Sequence, residues 1–495
     1  MAKVGQYGIE TLNQNEAPLV EVLQKLAARS QAPFFTPGHK RGQGMADGLL
    51  QWWGRDIFQA DLPELPELDN LLAPSGVLKQ AQALAAAAFG ASETWFLVNG
   101  STAGILAAML ASCGGGDKIV LPRNVHQSVI SGLVLSGAMP VFVRPEYDEG
   151  SEIAGGVQPS AVAAALADHP DAKAVMLVSP TYYGVASDVA AIAKIVHEYG
   201  IPLLVDEAHG AHFAFHGSLP TSAMAAGADL AVQSTHKVLG AMTQAAMLHC
   251  QYDRIDRQRL RQSLAMVQSS SPSYILLATL DAARRQMALQ GEALMDRALE
   301  LSDRAATQLS QVAGIRVWEP TDFGMRDRTR VTVDVSQLAD SGYDVDVLLH
   351  ERFGVTCELP TFNHLMFLIT FGNTAEDIER LVYAVAGVVP EWDWEVNQQR
   401  WAGVSWSSLP IPELACSPQT AFYAAKETVS WHAARDRISA VSVCPYPPGI
   451  PLLIPGEVIS TEAISYLQQV QGSGGSIVGC SDAHQQTIEV LTAAP

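Results

Sequence analysis

Short apolar runs alternate with helical patterns from about Gly76 to Lys237. The runs TWFLVNG, DKIVLP, MPVFVRP, AKAVMLVSP, IPLLVDEAHG and DLAVQSTHK predict buried strands, because their centres are almost free of polar residues. Stretches such as VLKQAQALAAAAFG, STAGILAAMLASC and DVAAIAKIVHEYG predict the helices between them. Strands rich in Val, Ile and Leu that alternate with helices predict a parallel sheet covered on both faces. In such sheets the ligand lies at the carboxyl ends of the strands.

The pattern changes on both sides of this region. A helix is predicted over Pro18–Ala28 in an N-terminal arm, and a long helical stretch from Ser271 to Gly291. RVTVDVSQL, VTCELP and LMFLITFG then alternate with helices such as DIERLVYAVAGVV, and a Pro-rich portion follows EWDWEVNQQRW. We therefore expect an arm at 1–50, a large domain at 51–295, a smaller α+β domain at 296–395 and a C-terminal domain at 396–495.

Composition narrows the class of protein. The chain has 495 residues, 48% hydrophobic and 17% charged, which is typical of a globular protein with more than one core. A net charge of −20 argues against binding to nucleic acid or to an anionic membrane. It is compatible with a cationic substrate, although most acidic proteins are acidic only for solubility. The six cysteines form no C-x-x-C pair, and neither a signal peptide nor a membrane-length apolar run is found, so a cytoplasmic protein is expected.

Lys237 ends the segment Ser234-Thr235-His236-Lys237, which follows a predicted buried strand. A lysine in an apolar neighbourhood is costly unless its charge is removed. Formation of a Schiff base with pyridoxal phosphate (PLP) removes the charge. Taken alone, Lys237 would be interpreted as a solvated surface lysine.

Asp206 changes that interpretation, because it ends the neighbouring strand IPLLVDEAHG. PLP needs a carboxylate against its ring nitrogen, so that the ring can withdraw electrons from the substrate carbon. A helix N-cap or a metal ligand are the alternative roles for Asp206. Together, Asp206 and Lys237 favour the cofactor.

The loop Asn99-Gly100-Ser101-Thr102-Ala103-Gly104 joins a strand to a helix. Small residues at a helix N-terminus favour a phosphate group, and the hydroxyls of Ser101 and Thr102 can add hydrogen bonds. A simple helix cap is the alternative, but the absence of a Gly-Lys pair argues against a nucleotide.

Two histidine motifs each allow more than one role. His126, after DKIVLP, can stack on the cofactor ring, or it can cap a helix or lie in the core. His209 and His212 lie beside Asp206 and Glu207 and could hold a metal ion, but their spacing matches neither a zincin helix nor a zinc finger. We rank a metal well below PLP.

The motifs together resemble the ornithine/lysine/arginine decarboxylases of PLP fold type I over nearly the whole chain. The residues that carry the resemblance are FFTPGHKRGQG, PELPELDNLLAPSGVLKQAQ, FLVNGSTAG, LPRNVHQS, SPTYYG, VDEAHGAH, QSTHK, SSSPSY and YPPGIPLLIPGE. The resemblance implies a mostly parallel α/β domain followed by smaller α+β domains. Larger members of the family carry a receiver-like domain before the cofactor domain, and the shorter arm here is more similar to the biosynthetic arginine decarboxylases.

The resemblance also implies roles for individual residues. Lys237 carries PLP as a Schiff base and Asp206 pairs with the ring nitrogen. His126 stacks on one face of the ring, Ala208 packs on the other, and His209 lies near the phenolic oxygen. Further residues are expected around the phosphate or the neighbouring substrate groups: Ser101, Thr102, Ser234 and His236.

The implied reaction is α-decarboxylation of a basic amino acid, with arginine converted to agmatine for polyamine biosynthesis as the preferred case. Lys237 or His236 would return a proton to the α-carbon. The cationic end of the substrate needs a carboxylate, for which Glu457 and Asp69 are the candidates, with Glu358 behind them. Such sites are completed across a dimer, so residues 269–271 are expected to serve a neighbouring subunit, and a homodimer or a higher oligomer is expected.

Four alternatives stay open. Lysine or ornithine can replace arginine as substrate. Another PLP reaction is a second alternative, such as that of an aldol-type lyase or of an aminotransferase whose α-carboxylate is held by Arg328 or Arg330. A non-catalytic regulatory paralogue is the third, and a metal hydrolase centred on His209 and His212 is the fourth.

Overall fold

The structure is a computed structural model that describes residues 12–148, 150–319, 324–337, 341–389, 407, 409–446 and 449–493. The parts of the chain outside these residues include residues 1–11, the segment EWDWEVNQQRW, and Pro447 and Pro448 of the terminal motif. Within the described ranges, no helix is both long enough and apolar enough to span a bilayer.

The helices follow the predicted order along the chain. Their bounds are α1 Pro18–Ala28, α2 Asp47–Trp53, α3 Arg55–Ala60, α4 Val77–Phe89, α5 Gly100–Ser112, α6 Gln127–Ser136, α7 Pro159–Asp168, α8 Val189–Glu198, α9 Thr235–Val238, α10 Arg257–Val267, α11 Tyr274–Leu309, α12 Gly342–Leu348, α13 Ala375–Val388, α14 Pro418–Tyr423, α15 Trp431–Ala434 and α16 Thr461–Gly472. The chain also forms a 3₁₀ turn at Phe213–Phe215 and a π turn at Leu349–Phe353.

The strands form two larger sheets and two two-stranded antiparallel sheets. Their bounds are β1 Glu93–Leu97, β2 Lys118–Pro122, β3 Met139–Val143, β4 Ala174–Val178, β5 Leu203–Asp206, β6 Leu230–Gln233, β7 Ala246–Cys250, β8 Arg316–Val317, β9 Arg330–Asp334, β10 Leu359–Pro360, β11 His364–Leu368, β12 Lys426–Ser430, β13 Cys444–Tyr446, β14 Ser476–Val478 and β15 Thr487–Leu491.

The large sheet has the strand order β1-β7-β6-β5-β4-β2-β3. Strands β2 to β6 are parallel, as the apolar runs predict, whereas β7 lies antiparallel between β1 and β6. The predicted strand DLAVQSTHK is shorter than expected: it ends at Gln233, and the turn of α9 begins at Thr235. Strand β7 was not predicted. Because β7 is antiparallel to both neighbours, β1 and β6 run in the same direction and end at the same edge.

Helix α11 is longer than its pattern predicts. It continues through Gly291 to Leu309 without a break, so the predicted boundary between residues 295 and 296 falls inside it. Gly291 does not end the helix but lets it approach Phe215, whose Cβ would lie 2.9 Å from a Cβ added at Gly291. A glycine in a helical pattern can therefore mark a close contact with another segment and not a helix end.

The remaining strands belong to the C-terminal half. Strands β10, β11, β9 and β8 form an antiparallel sheet that packs against α11, α12 and α13 through apolar residues such as Val333, Leu365 and Leu381. The pairs β12–β15 and β13–β14 surround a separate apolar cluster that includes Trp431 and Leu467. Both regions combine helices with antiparallel strands, as expected for the smaller α+β portions.

Gly104 controls how closely α5 lies on the large sheet. A Cβ added at Gly104 would lie 2.6 Å from Cγ1 of Val232 and 2.8 Å from Cδ1 of Leu97, both on buried strands. Such distances are shorter than packed carbon atoms allow, so a side chain here must displace the helix. The N-terminus of α5 therefore depends on a glycine in its second turn.

We expect Gly104→Ala to lower the free energy of unfolding by about 1–3 kcal/mol, because it overpacks this contact. Gly115→Ala is the matched control, since a Cβ there meets no atom within 4 Å. Thermal unfolding of both variants measures the difference. Equal unfolding midpoints for the two variants would contradict the close contact.

Candidate active site

Five strand ends meet at one edge of the large sheet. There, a cavity of about 80 Å³ is lined by residues that follow β1, β2, β4, β5 and β6. The side chains of Ser101, His126, Asp206 and Lys237 all face it. The sequence predicted these residues at strand ends, and the structure brings them into one cavity.

Lys237 lies on the short helix α9, which follows β6. Its Nζ is 2.8 Å from Nε2 of His209 and 5.7 Å from the ring centre of Tyr182. Burial lowers the pKa of Lys237, and the carboxylate of Asp206 opposes this effect. The amine is therefore closer to its neutral, nucleophilic form than that of a surface lysine.

Asp206 is the last residue of β5 and is 5% exposed. Its Oδ1 accepts a hydrogen bond of 3.1 Å from the backbone N–H of Ala208. Burial raises the pKa of Asp206, whereas His126 and Lys237 oppose this effect. A carboxylate in this position gains most from a cationic partner inside the cavity, where a protonated ring nitrogen would serve.

Next to Asp206, Glu207 faces the opposite side of the sheet and holds the strands together. Its carboxyl group accepts hydrogen bonds of 2.7 Å from Nε2 of Gln233 and from the backbone N–H of Ala223. Gln233 in turn contacts His249 on β7 at 3.0 Å. This buried network fixes β5 against β6, and so fixes the distance between Asp206 and Lys237.

The start of α5 forms the second wall of the site. Gly100 has φ +72°, and no side chain of N-cap Asn99 caps the helix. The N–H of Gly100 donates to the carbonyl oxygen of Gln244 at 3.0 Å, whereas no side chain caps the N–H groups that follow it, and the helix dipole favours an anion there. Ser234 donates a hydrogen bond of 2.7 Å to Ser101, which places two hydroxyl groups at this end. Thr102 is exposed in the same first turn.

His126 caps a helix, which is one of the roles left open from the sequence, and it also faces the cavity. It is the N-cap of α6, where its Nδ1 accepts a hydrogen bond of 3.1 Å from the backbone N–H of Ser128. It also lines the cavity, and burial lowers its pKa, so that the ring is neutral. The capping bond fixes the ring orientation and leaves a face for stacking.

His209 and His212 contact different partners. Nε2 of His209 lies against Lys237, whereas Nε2 of His212 lies 3.1 Å from Oδ2 of Asp327. Burial, with Lys237 and Arg330 nearby, lowers the pKa of His209 well below its usual range. The two rings thus do not converge on one point as the hydrolase interpretation requires.

His236 lies beside the cavity but does not line it in the part of the chain that the structure describes. Its Nδ1 is 2.9 Å from the carbonyl oxygen of Ala245. Burial lowers its pKa as well. The carbonyl contact holds His236 against the loop before β7.

Glu457, which the resemblance places near the substrate side chain, is not among the described residues that line the cavity. Its side chain is fully buried and 2.9 Å from Nη2 of Arg123, which also donates hydrogen bonds to the carbonyl oxygens of Pro451 and Leu452. The backbone N–H of Ile454 donates to the same oxygen of Glu457. The contact between Glu457 and Arg123 therefore holds the terminal segment against the end of β2. Ile450 of this segment forms part of the cavity wall.

The carboxylate of Asp69 is also engaged away from the cavity. Its carboxylate accepts hydrogen bonds from the backbone N–H groups of Asn70, Ser75 and Gly76. Burial raises its pKa, but these bonds outweigh the effect and lower it. The carboxylate closes a loop before α4. Of the three acids considered for the substrate, Glu358 alone contacts a cavity residue, because it accepts a 3.3 Å hydrogen bond from Tyr182.

From the sequence, Tyr182 and Asn124 receive no role, and Arg330 is named only for an aminotransferase. Tyr182 lies beside His209, with ring centres 4.4 Å apart and ring planes tilted by 53°, and Asn124 lines the cavity. Arg330 is fully buried, donates weakly to the carbonyl oxygen of His209 at 3.4 Å and lies 3.5 Å from Asp327. The motif SPTYYG marks Tyr182, but no sequence signal marks Arg330 as buried beside Lys237.

The match to known proteins covers most of the chain. Residues 17–329 match the major domain of the Orn/Lys/Arg decarboxylases, and residues 405–483 match their C-terminal domain. The chain belongs to the Orn/Lys/Arg decarboxylase family. An arginine decarboxylase of Bacillus subtilis is 39% identical, with 97% of this chain and 99% of that protein covered. An arginine decarboxylase of Bacillus anthracis is 36% identical, with coverage of 97% and 98%.

Solved structures of the family share the fold. The lysine decarboxylase of Francisella novicida has a TM-score of 0.85 at 22% identity and covers 96% of this chain and 82% of its own. Lysine decarboxylase A of Pseudomonas aeruginosa has a TM-score of 0.81 at 25% identity, with coverage of 96% and 80%. The predicted α/β architecture of PLP fold type I is confirmed.

Membership of the family implies PLP as the cofactor, and the cavity fits it. Asp206 is a buried carboxylate with one backbone hydrogen bond among the described residues, and the N-terminus of α5 has no side-chain cap. The first feature suits a ring nitrogen and the second a phosphate group. His126 and Ala208, which both line the cavity, supply a ring to stack on and a small residue.

We expect Glu457→Ala to destabilise the protein by about 3–5 kcal/mol, because it leaves the buried guanidinium of Arg123 without its carboxylate. Asp303→Asn is the matched control, since it removes an acid from an exposed pair with Arg328 and should cost at most about 1 kcal/mol. Thermal unfolding midpoints compare the two variants. An unchanged midpoint together with a higher KM for substrate would instead restore the substrate-binding role for Glu457.

Proposed function

We propose that this protein is a PLP-dependent decarboxylase that converts L-arginine to agmatine and carbon dioxide. The observation that carries the proposal is the buried amine of Lys237, which shares one cavity with Asp206 and His126 at the carboxyl edge of the sheet. The choice of arginine is supported by the relatives named arginine decarboxylase, which are 36–39% identical over nearly their full length.

Lys237 is the residue to which the cofactor attaches. Its lowered pKa favours the neutral amine that such a linkage needs. His209, whose pKa is also lowered, is neutral and can accept a hydrogen bond from Nζ across 2.8 Å. This contact directs the amine into the cavity and steadies it while the substrate amine takes its place.

Asp206 and His126 hold the ring. Asp206 keeps a proton on the ring nitrogen, and the capping bond of His126 keeps its imidazole in a fixed plane for stacking. Ser101, Ser234 and the N–H groups of α5 that follow Gly100 would hold the phosphate group. PLP, when bound, supplies an electron sink for the electron pair left on the α-carbon as carbon dioxide departs.

Lys237 also returns the proton to the α-carbon of the substrate. Its Nζ lines the cavity, whereas Nδ1 of His236 is engaged with the carbonyl oxygen of Ala245. These contacts support Lys237 over His236 as the proton donor. His236 then serves to position α9.

The geometry gives less support to the alternatives. Arg328 is paired with Asp303 on the surface and so offers no free anchor for the α-carboxylate of an aminotransferase substrate. Arg330 has two guanidinium nitrogens without a hydrogen-bond partner in the described residues, but it does not line the described wall of the cavity around Lys237. A non-catalytic paralogue would not need Lys237, Asp206 and the uncapped start of α5 in one cavity. Lysine and ornithine remain as alternative substrates and belong in the experiment below.

We also propose a homodimer or a higher oligomer with shared active sites, acting in the cytoplasm for polyamine biosynthesis. In this chain, Ser269 donates its backbone N–H to Oδ1 of Asn99 at 3.1 Å. The segment 269–271 thus lies next to the start of α5, where it would be close to the phosphate of its own subunit as well as to a neighbour.

The protein should release carbon dioxide from arginine faster than from lysine or ornithine when the three are offered in parallel. Lys237→Ala should lose both the activity and the absorption band of the attached cofactor. Absorption spectra and carbon dioxide release measure the two effects. A colourless protein that takes up no PLP would refute the cofactor assignment, and inertness toward all three amino acids would refute decarboxylation.

Asp206→Asn should leave the cofactor attached to Lys237 yet lower kcat by about a hundredfold or more. The reason is that a neutral amide cannot stabilise the charge that develops on the ring nitrogen as the reaction proceeds. The absorption band and kcat report these two properties separately. Retained turnover in this variant contradicts the role assigned to Asp206.

A further inference from the structure

A second cavity adjoins the one around Lys237. Its volume is about 130 Å³, and it shares the wall residues Asn124, Ala154, Tyr183 and Ile450 with the first cavity. One water molecule needs only about 10–15 Å³ on such a measure, so this space holds a larger group. A substrate whose α-carbon lies beside Lys237 can extend its side chain across the shared wall into this space.

The walls of the second cavity are aromatic. They come from the loop after β3, from the segment after β4, from α12, from the turn before β11 and from α16. The aromatic residues are Tyr147, Tyr183, Tyr343, Phe362 and Tyr466. Faces of aromatic rings attract cations, and a planar guanidinium stacks on them better than a compact ammonium does.

Glu152 supplies the negative charge. Among the described residues that line the second cavity, it alone carries a formal charge near neutral pH. Burial raises the pKa of Tyr466, and the nearby phenol of Tyr343 and carboxylate of Glu152 add to this effect. Glu152 is exposed at the mouth of the cavity, and its carboxylate also acts electrostatically on the phenol of Tyr466 in the wall.

The backbone around Glu152 is held in an unusual conformation. Glu152 has φ +59°, in the left-handed region where glycine and asparagine are more common. Its N–H donates to the carbonyl oxygen of Asp148 at 2.7 Å, and the carboxylate of Asp148 accepts a 2.9 Å hydrogen bond from Trp318. A strained residue that its surroundings hold in place is typical of a ligand site.

Two further acceptors have no partner in the described residues. They are Oδ1 of Asn363 and Nε2 of His364, both buried at the wall of this cavity. His364 is 3% exposed, and burial lowers its pKa to about 4, so the ring is neutral. In the tautomer that carries its proton on Nδ1, Nε2 is an acceptor. Buried polar atoms without partners are costly, and a ligand with several N–H donors would satisfy them.

We propose that this second cavity binds the guanidinium group of the substrate, with Glu152 as its ionic partner and Asn363 and His364 as additional acceptors. A guanidinium has five N–H donors in one plane, which suits a carboxylate, two neutral acceptors and aromatic faces better than an ammonium does. The inference rests on the proposed function and names the residue that selects the substrate.

The other acids are less suitable partners. Glu457 is paired with Arg123, and the carboxylate of Asp69 is occupied by backbone N–H groups. Glu358 contacts Tyr182 on the side of Lys237 and does not line the second cavity. These contacts leave Glu152 as the acid that faces the aromatic walls.

The test is Glu152→Gln, which removes the charge and keeps the shape. We expect the KM for arginine and the inhibition constant of agmatine to rise by about 10- to 100-fold, as for the loss of one charge-assisted hydrogen bond. The inhibition constant of citrulline, a neutral isostere of arginine, should change little. Glu146→Gln is the matched control, because it removes an acid from the same loop outside the cavity wall and should leave all three constants unchanged.

Unchanged constants in Glu152→Gln, with the cofactor band intact, would overturn the proposal. So would a rise in Glu358→Gln alone, which would move the ionic partner to the first cavity. If Glu152→Gln fails to fold, Asn363→Ala tests the same subsite and should weaken arginine and agmatine in parallel. If the wild-type protein releases no carbon dioxide from arginine, the proposed function fails, whereas calorimetric binding of agmatine still tests the subsite by itself.

Discussion

The common direction of the strands in the large sheet is the constraint on which the site depends. Parallel strands end at one edge, so residues far apart in sequence meet there. Asp206 ends β5 and Lys237 follows β6, and these two strands are neighbours. The strand β7 preserves this arrangement. It is antiparallel to both β6 and β1, so β1 runs in the same direction as β6 and ends at the same edge. The start of α5 thereby faces Lys237.

Buried polar contacts then join the other parts of the chain to that edge. The pair Arg123–Glu457 fixes the terminal segment on β2 and brings Ile450 into the wall shared by both cavities. From the smaller sheet, Asp327 contacts both His212 and Arg330, and so holds β9 behind His209. Burying charges is costly, and here each buried charge has an oppositely charged or ionisable partner beside it. As a result, three regions of the chain contribute residues to the walls of the two adjoining cavities.

The two cavities differ in the residues that line them, and we therefore expect them to have different roles. The first cavity contains the titratable groups, and burial shifts their pKa values toward neutral forms: Lys237 and His209 downward, Asp206 upward. The second is lined by aromatic rings and carries its charge on Glu152. Chemistry common to a family fits the first cavity, and the choice among basic amino acids fits the second. A change in the loop that carries Glu152 would alter the substrate and leave the reaction itself intact.

The sequence alone determined the parallel sheet, the order of its helices and the residues at the strand ends, because apolar periodicity and small-residue loops are local signals. It therefore predicted Lys237, Asp206 and Ser101 in one site. Only the tertiary structure decided the burial of Arg330, the pairing of Glu457 with Arg123 and the position of Glu152. An acidic residue in a loop has the same local sequence whether it faces solvent or a cavity. Its partner comes from a distant segment, and packing of the whole chain decides which segment that is.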